Sequence, residues 1–298
     1  MELNLFPLKD KYIFLSLASG SSGNCYFLGK SSSGILIDAG IGLRTIKKSL
    51  REHGIALQNI MAVLVTHDHA DHIRTVGCLG EKLHIPIYAT KATHEAINRS
   101  HYVQDKLQAS QKVIEKESMF SLHGFDVTAF EVPHDSFDNV GYHINFGGHS
   151  LTLATDVGRI TDRIEYFSKK AELLVIESNY DEEMLQNGSY PAYLKKRITC
   201  GTGHLSNREA ADFVVKVYSE QLADIWLCHL SNDNNHPELA YKTVEQNLYQ
   251  AGIRVGIDVM LQALNRGKPS KSKEFIPTGK SNAVSAKIEE NVPSYIPH

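Results

Sequence analysis

Short apolar runs rich in β-branched residues recur along the chain, each closed by a turn or a charged residue. Tyr12 to Ala18, Cys25 to Leu28, Gly34 to Asp38 and Ile60 to Val65 read as buried strands. Ile85 to Ala89, Phe125 to Val132, Val140 to Phe146, Ser150 to Thr155, Glu172 to Ser178 and Ile225 to Leu227 follow the same pattern, and Val255 to Leu261 is expected to be the last strand. Between them, apolar residues at helical spacing predict helices over Ile41 to His53, Ile73 to Leu83, Lys91 to Arg99, about Asn207 to Tyr218, and Pro237 to about Ala251. Ser206 or Asn207 can cap the fourth of these. Ser19 to Asn24 is a Gly/Ser turn, chiefly a hairpin connection, with a phosphate cradle as the lesser reading. From Arg266 onward Lys, Ser, Pro and Gly dominate and periodicity stops. The expected organisation is one domain over residues 1–265 and a flexible tail over 266–298 that adds nothing to the core.

Composition narrows the class without fixing it. The 298 residues are 42% hydrophobic with a formal net charge of -3, so no global basic field points to a polyanion. Cys25, Cys78, Cys200 and Cys228 are scattered, which argues against a disulfide framework and a thiolate metal site. No apolar run is long enough to span a bilayer, and the first residues lack the order of a secretory leader. The expectation is a cytoplasmic protein.

The chemistry concentrates where the apolar run Ile60–Val65 ends. Thr66-His67-Asp68-His69-Ala70-Asp71-His72 packs three imidazoles and two carboxylates into six residues. These donors suit Zn²⁺, Mn²⁺ or Fe²⁺. In an extended segment His67 and His69 point the same way, while Asp71 and His72 lie past the turn and can face a second ion. Other strand ends carry His134, Asp156 and His229. Asp38, also at a strand end, either orients a metal-bound imidazole or caps the next turn. His204 precedes an amphipathic helix, a natural place for an anion. The stretch Gln186 to Cys200 interleaves Tyr190, Tyr193, Lys195, Lys196 and Arg197. It fits a grip on a nucleic-acid backbone and an ordinary exposed helix face about equally. The basic face of Arg44, Lys47, Lys48 and Arg51 reads as a solvated helix surface, and His84, His94 and His101 as surface or structural residues.

The His-x-His-x-Asp-His signature followed by His134, Asp156 and His229 resembles the metallo-β-lactamase superfamily over residues 10 to 262. The resemblance implies a four-layer αββα sandwich of α+β class. It assigns His67, His69 and His134 to one divalent ion and Asp71, His72 and His229 to another, with Asp156 between them. Two such ions, zinc or manganese, would hold a hydroxide as nucleophile and neutralise a phosphodiester. The segments Leu174 to Tyr180, Gly203 to Asn207 and Cys228 to Ser231 resemble the late motifs of ribonuclease Z and its phosphodiesterase relatives. Ser16 to Cys25, Leu194 to Arg197 and Asp233 to Glu238 are similar to the YycJ/WalJ group of nucleases, DNA exonucleases acting from the 5′ end. By that resemblance His204 approaches the scissile phosphate, as a phosphate clamp or as proton donor to the leaving oxygen; Asp71 is expected to be catalytic with it, and Lys195, Lys196, Arg197 and Asn235 are candidate substrate contacts. The alternatives are an RNA-processing nuclease, a thioesterase- or lactonase-like small-molecule hydrolase, and a non-catalytic binding module. A complete ligand set argues against the last.

Overall fold

A computed structural model describes residues 11–278. In its first half the strands are β1 (Tyr12–Ala18), β2 (Cys25–Lys30), β3 (Ser33–Ile37), β4 (Ile60–Leu64), β5 (Ile87–Ala89) and β6 (Gln111–Val113). The second half supplies β7 (Met119–Leu122), β8 (Phe125–Glu131), β9 (Val140–Phe146), β10 (His149–Ala154), β11 (Leu173–Glu177), β12 (Asp224–Cys228), β13 (Met260–Ala263) and β14 (Lys273–Phe275). The helices are α1 (Leu43–Glu52), α2 (Ala70–Ile73), α3 (Lys91–Arg99), α4 (Asp162–Ser168), α5 (Glu182–Asn187), α6 (Ala192–Thr199), α7 (Asn207–Val217) and α8 (Pro237–Gln250). None of them is long and apolar enough to cross a membrane.

The strands form two mixed sheets, ordered β14-β1-β2-β3-β4-β5-β6 and β13-β12-β11-β10-β9-β8-β7. Alternation along each strand explains the layering. Ile35, Ile37, Ala62 and Leu64 face inward, where they meet Val127, Tyr142, Ile144, Leu153 and Val175 of the other sheet. Leu36 and Val63, one residue out of phase, face outward onto Ile46, Leu50 and Ile97 of α1 and α3. On the opposite side Leu174, Ile176 and Leu227 pack on Ile164, Val214 and Val244 of α4, α7 and α8. Three apolar layers thus separate four structural layers, the αββα sandwich expected. Central strands covered on both faces must be apolar throughout, which is why they read as continuous runs.

Several local expectations are corrected. The helix read over Ile73 to Leu83 is two pieces, α2 and a wide turn at Cys78–Lys82. A Cβ on Gly77 would lie 2.2 Å from the Asp105 carbonyl, so the backbone here is held by close approach to a neighbouring loop. The last run shifts to Met260–Ala263, because Gly256-Ile257-Asp258 turns the chain and Arg254 pairs with Asp258. The short β6, β7, α4 and α5 carry too little periodicity to be legible.

The domain boundary also moves. Past Arg266 the chain continues into β14, which pairs antiparallel with β1. Ser270 accepts the Ser16 N–H at 3.0 Å, and Phe275 is buried against Phe146 and His149. Ser270 and Arg266 serve backbone groups, while Lys268, Lys271 and Ser272 stay exposed. The remainder of the expected tail, 279–298, lies outside the described residues.

Candidate metal centre

The parallel strands all end at one edge of the sandwich, and the ligand candidates gather there. Two bonds from the second sheet set the exit of β4: Tyr142 donates to the Val65 carbonyl at 2.7 Å, and Val140 N–H to that of Thr66 at 3.1 Å. His67 then enters fully buried, and the single turn α2 swings Asp71 and His72 back toward it. Gly40 permits this packing, since a Cβ there would sit 1.6 Å from the Asp71 carbonyl oxygen. Asp38, Asp156 and His229, just past β3, β10 and β12, all take left-handed backbone angles (φ +60°, +53° and +53°). That conformation costs about 1 kcal/mol or more per non-glycine residue and gathers at functional sites. Here it turns three side chains from the sheet edge into one cleft.

Within the cleft the donor atoms of His67, His69 and His134 converge, as do those of Asp71, His72 and His229; Asp156 shares a group with His67 and His72. Asp156 Oδ2 lies 3.1 Å from His72 Nε2, and its Oδ1 3.5 Å from His134 Nε2. His69 Nδ1 faces His134 Nε2 at 3.3 Å. Two donors on a tetrahedral zinc with bonds near 2.1 Å would be about 3.4 Å apart. His67 Nε2 is buried with no hydrogen-bond partner, an arrangement native proteins avoid unless an ion or water serves the atom. The outer ring nitrogens are occupied. His72 Nδ1 donates to Asp38 at 2.8 Å, His229 Nδ1 to Glu177 at 2.8 Å, and His134 Nδ1 to the Gly203 carbonyl at 3.0 Å. This outer bonding is how proteins orient metal-bound imidazoles. The residues therefore fit divalent-metal binding.

The electrostatics agree. Burial drives His67 well below its usual range, and the neighbouring His72 drives it further. Burial opposes the charge on Asp156, but the imidazoles of His229 and His72 hold it well below the carboxylate range. His229 loses solvation too, yet Asp156, Asp71 and Glu177 raise it to about 10. Without ions the cluster balances its carboxylates with imidazole protons, and an arriving cation would replace those protons.

Glu177 is the residue that sequence reasoning left without a role. Its fully buried carboxylate accepts from His204 Nδ1 at 2.9 Å, His229 Nδ1 at 2.8 Å and the Val157 N–H at 2.8 Å. The available signal was a carboxylate closing the apolar run of β11, the same pattern that marked Asp38. Asp38 proves to orient His72, resolving its open role. Asn24 in the Gly/Ser turn also had no role assigned; its side-chain Nδ2 lies 2.9 Å from His72 Nε2, and its backbone N–H donates to the Asp71 carbonyl at 2.7 Å.

The cleft has a volume of about 250 Å³, and its walls include His204, Leu194, Arg197 and Ile198. The predicted substrate contacts divide. Arg197 faces the cleft and pairs with Asp135 at 2.5 Å. Lys195 instead donates to the Gln186 carbonyl at 2.7 Å, and Lys196 is exposed outside the cleft wall. Asn235 is a correction. It is buried, its Nδ2 donates to Ser178 O, Asn179 O and Asn207 Oδ1, and its Oδ1 accepts from Asn207 and His236. With both ends of its amide engaged, it ties α7 and α8 to the loop after β11 and has nothing left to offer a ligand.

Residues 34–225 match the Beta-lactamase superfamily domain. The chain is 37% identical over 243 residues to the exodeoxyribonuclease WalJ of Streptococcus pneumoniae serotype 2, covering 81% of this chain and 90% of that one. It is 35% identical over 244 residues to the exodeoxyribonuclease YycJ of Bacillus anthracis, covering 82% and 91%. Among solved structures, the metallo-beta-lactamase fold protein YhfI of Bacillus subtilis superposes with a TM-score of 0.65 at 17% identity, covering 89% of this chain and all of that one.

Proposed function

The chain belongs to the beta-lactamase superfamily and shares most of its length with bacterial exodeoxyribonucleases, and from that premise we propose that it is a two-metal phosphodiesterase that degrades DNA from a 5′ end. The observation that carries this reading is the buried convergence of six imidazole and carboxylate ligands around Asp156, in a cleft whose wall presents Arg197 and His204. His67, His69 and His134 would hold one ion, and Asp71, His72 and His229 the other, with Asp156 facing both. The mixed nitrogen and oxygen set suits zinc and manganese. Bound ions would lower the pKa of water and neutralise the anion that makes a phosphodiester resist attack.

The chain's own groups supply the rest. Arg197 offers a planar fork that matches phosphate oxygens, and Asp135 holds that fork at the cleft. Asp71, the least buried carboxylate of the ligand set, orients the attacking water by accepting its hydrogen bond. Burial pushes the His204 imidazole down, but the Glu177 charge and hydrogen bond more than offset this and raise it. That favours the protonated form of His204, which could donate a proton to the leaving oxygen.

The test is degradation of DNA and RNA strands labelled at either end, with Zn²⁺, Mn²⁺ and Mg²⁺ in parallel. Progressive loss from the 5′ end of DNA supports the proposal, whereas preferential cleavage of RNA or loss from the 3′ end overturns it. Metal analysis is expected to find two ions per chain; at most one under saturating metal counts against the dinuclear assignment.

A further inference from the structure

Four cations share one hollow on the outer flank of the sandwich. Arg44, Lys47, Lys48 and Arg51 recur at spacings of three and four residues along α1, so they stand on one face of the helix. Together with the segment 55–58 they line a concavity of about 530 Å³, and no carboxylate is among its lining residues. All four are exposed. Lys48 reaches Glu52 at 3.8 Å, whereas Arg44, Lys47 and Arg51 have no ion pair or side-chain hydrogen bond among the described residues. The chain carries 34 acidic residues against 31 basic ones, so this face is a local concentration of charge and not a consequence of composition. The hollow gives it a shape that an evenly solvated helix lacks.

This face starts at the edge that holds the metal cluster. β3 and β4 run parallel, so α1 carries the chain from the ligand edge back to the start of β4. Ile41, which leads into α1, is fixed to that edge twice. Its carbonyl accepts from Thr75 Oγ1, just past α2, at 2.6 Å. Its side chain also closes on Gly23, where a Cβ would lie 2.5 Å away, beside Ser21 of the cleft wall. From Arg44 to Arg51 the helix extends about 10 Å from there. Its apolar side, Ile46 and Leu50, is committed to the sheet. The exposed side therefore offers charge and no large apolar residue to insert into a lipid surface. Duplex DNA meets these conditions, with about one phosphate charge per 1.7 Å of axis and a stiffness that carries it past the cleft without bending. We propose that the basic face of α1 binds the backbone of duplex DNA whose end occupies the cleft. The proposal rests on the nuclease reading above and adds a second contact, which holds the substrate without touching the reacting phosphate.

The test combines Arg44→Gln, Lys47→Gln and Arg51→Gln in the full, metal-loaded chain. All three side chains are exposed and glutamine suits a helix, so no core contact is lost. A comparison variant removes three exposed charges elsewhere, by Lys106→Gln, Lys216→Gln and Lys242→Gln. Binding of a duplex of about 30 base pairs with phosphorothioate ends is followed by fluorescence anisotropy over a series of salt concentrations. Cleavage is followed on the unmodified duplex and on a dinucleotide, too short to reach beyond the cleft. Each lost phosphate contact should lower the steepness of log Kd against log salt by about 0.9, hence by about 2.7 for three, and raise Kd on the order of 10²-fold at about 0.15 M salt. The loss should appear in KM for the duplex, with kcat and the dinucleotide KM unchanged and the comparison variant binding as the wild type does. Duplex cleavage with KM and salt dependence unaltered by the α1 substitutions overturns the surface and leaves the nuclease reading intact, as does an equal loss in the comparison variant. Binding to phosphatidylglycerol vesicles that needs these cations, with duplex affinity unchanged, assigns the face to a membrane and also overturns it. Face-dependent duplex binding without cleavage of either substrate upholds the surface and overturns the nuclease reading; neither binding nor cleavage overturns both.

Discussion

On the proposed reading, the contact between His204 and Glu177 is what separates a proton donor from a structural histidine. His204 follows a residue whose carbonyl holds His134, and its own Nδ1 is committed to a carboxylate with no exposure to water. Its role is therefore set by Glu177 rather than by the helix it precedes; the cap of α7 belongs to Ser206, which together with Glu209 forms a reciprocal capping box. His204 groups with Asp156, Glu177 and His229 but is proposed to stand outside the ligand set, so His204→Ala is expected to keep the bound metal and lower kcat by on the order of 10²–10⁴. Turnover and metal content measured on one preparation decide the matter. Full turnover with metal retained sinks the proton-donor role, and lost metal makes His204 a ligand. Glu177→Gln should give a similar loss, since an amide neither stabilises the imidazolium nor fixes both rings.

At the scale of the element, β14 carries the fold past residue 265. Three residue pairs join it to β1, and Phe275 fills the open end of the inner apolar layer beside Phe146. Arg266 also donates to the Ser231 carbonyl at 2.6 Å, next to the cleft. A chain ending at Asn265 loses all of these. Removing a buried phenylalanine alone costs about 3–5 kcal/mol, so urea denaturation should show at least that destabilisation relative to a chain ending at Thr278. Equal midpoints for the two chains would return the boundary to Arg266.

For the whole molecule, one part of the pH dependence runs through His143, which is not among the residues lining the cleft. His143 on β9 is packed between the second sheet and α4, donating to Thr152 at 2.8 Å, and Thr152 donates to the Phe167 carbonyl. Burial, with the Lys170 charge adding to it, lowers its pKa to about 4. The unfolded chain takes up this proton near pH 6.5 and the folded chain only near 4, so the unfolded state binds more protons in between. Its contribution is full above pH 6.5 and falls as pH drops toward 4, by on the order of 3 kcal/mol. Stability curves of the wild type and His143→Asn should differ in slope by one proton across that window; parallel curves would show that the ring is protonated in the fold.

The apolar runs, the turn residues and the cluster from His67 to His72 were legible because they depend on local order along the chain. Alternation marks a strand whatever it packs against, and imidazole and carboxylate are metal donors in any surroundings. The order of the later candidate ligands His134, Asp156 and His229 was readable through resemblance to a family. Tertiary structure alone decided which polar side chains were left with something to offer. Arg197 reaches the cleft while Lys195, two residues away on the same helix, is bound to a backbone carbonyl. Asn235 has the composition of a ligand but both ends of its amide are engaged. Glu177 became the hub only when β11 was set beside β12 and α7. Availability of a donor or acceptor depends on partners distant in sequence, and burial fixes whether water can replace them. That information arises only when the two sheets close on each other.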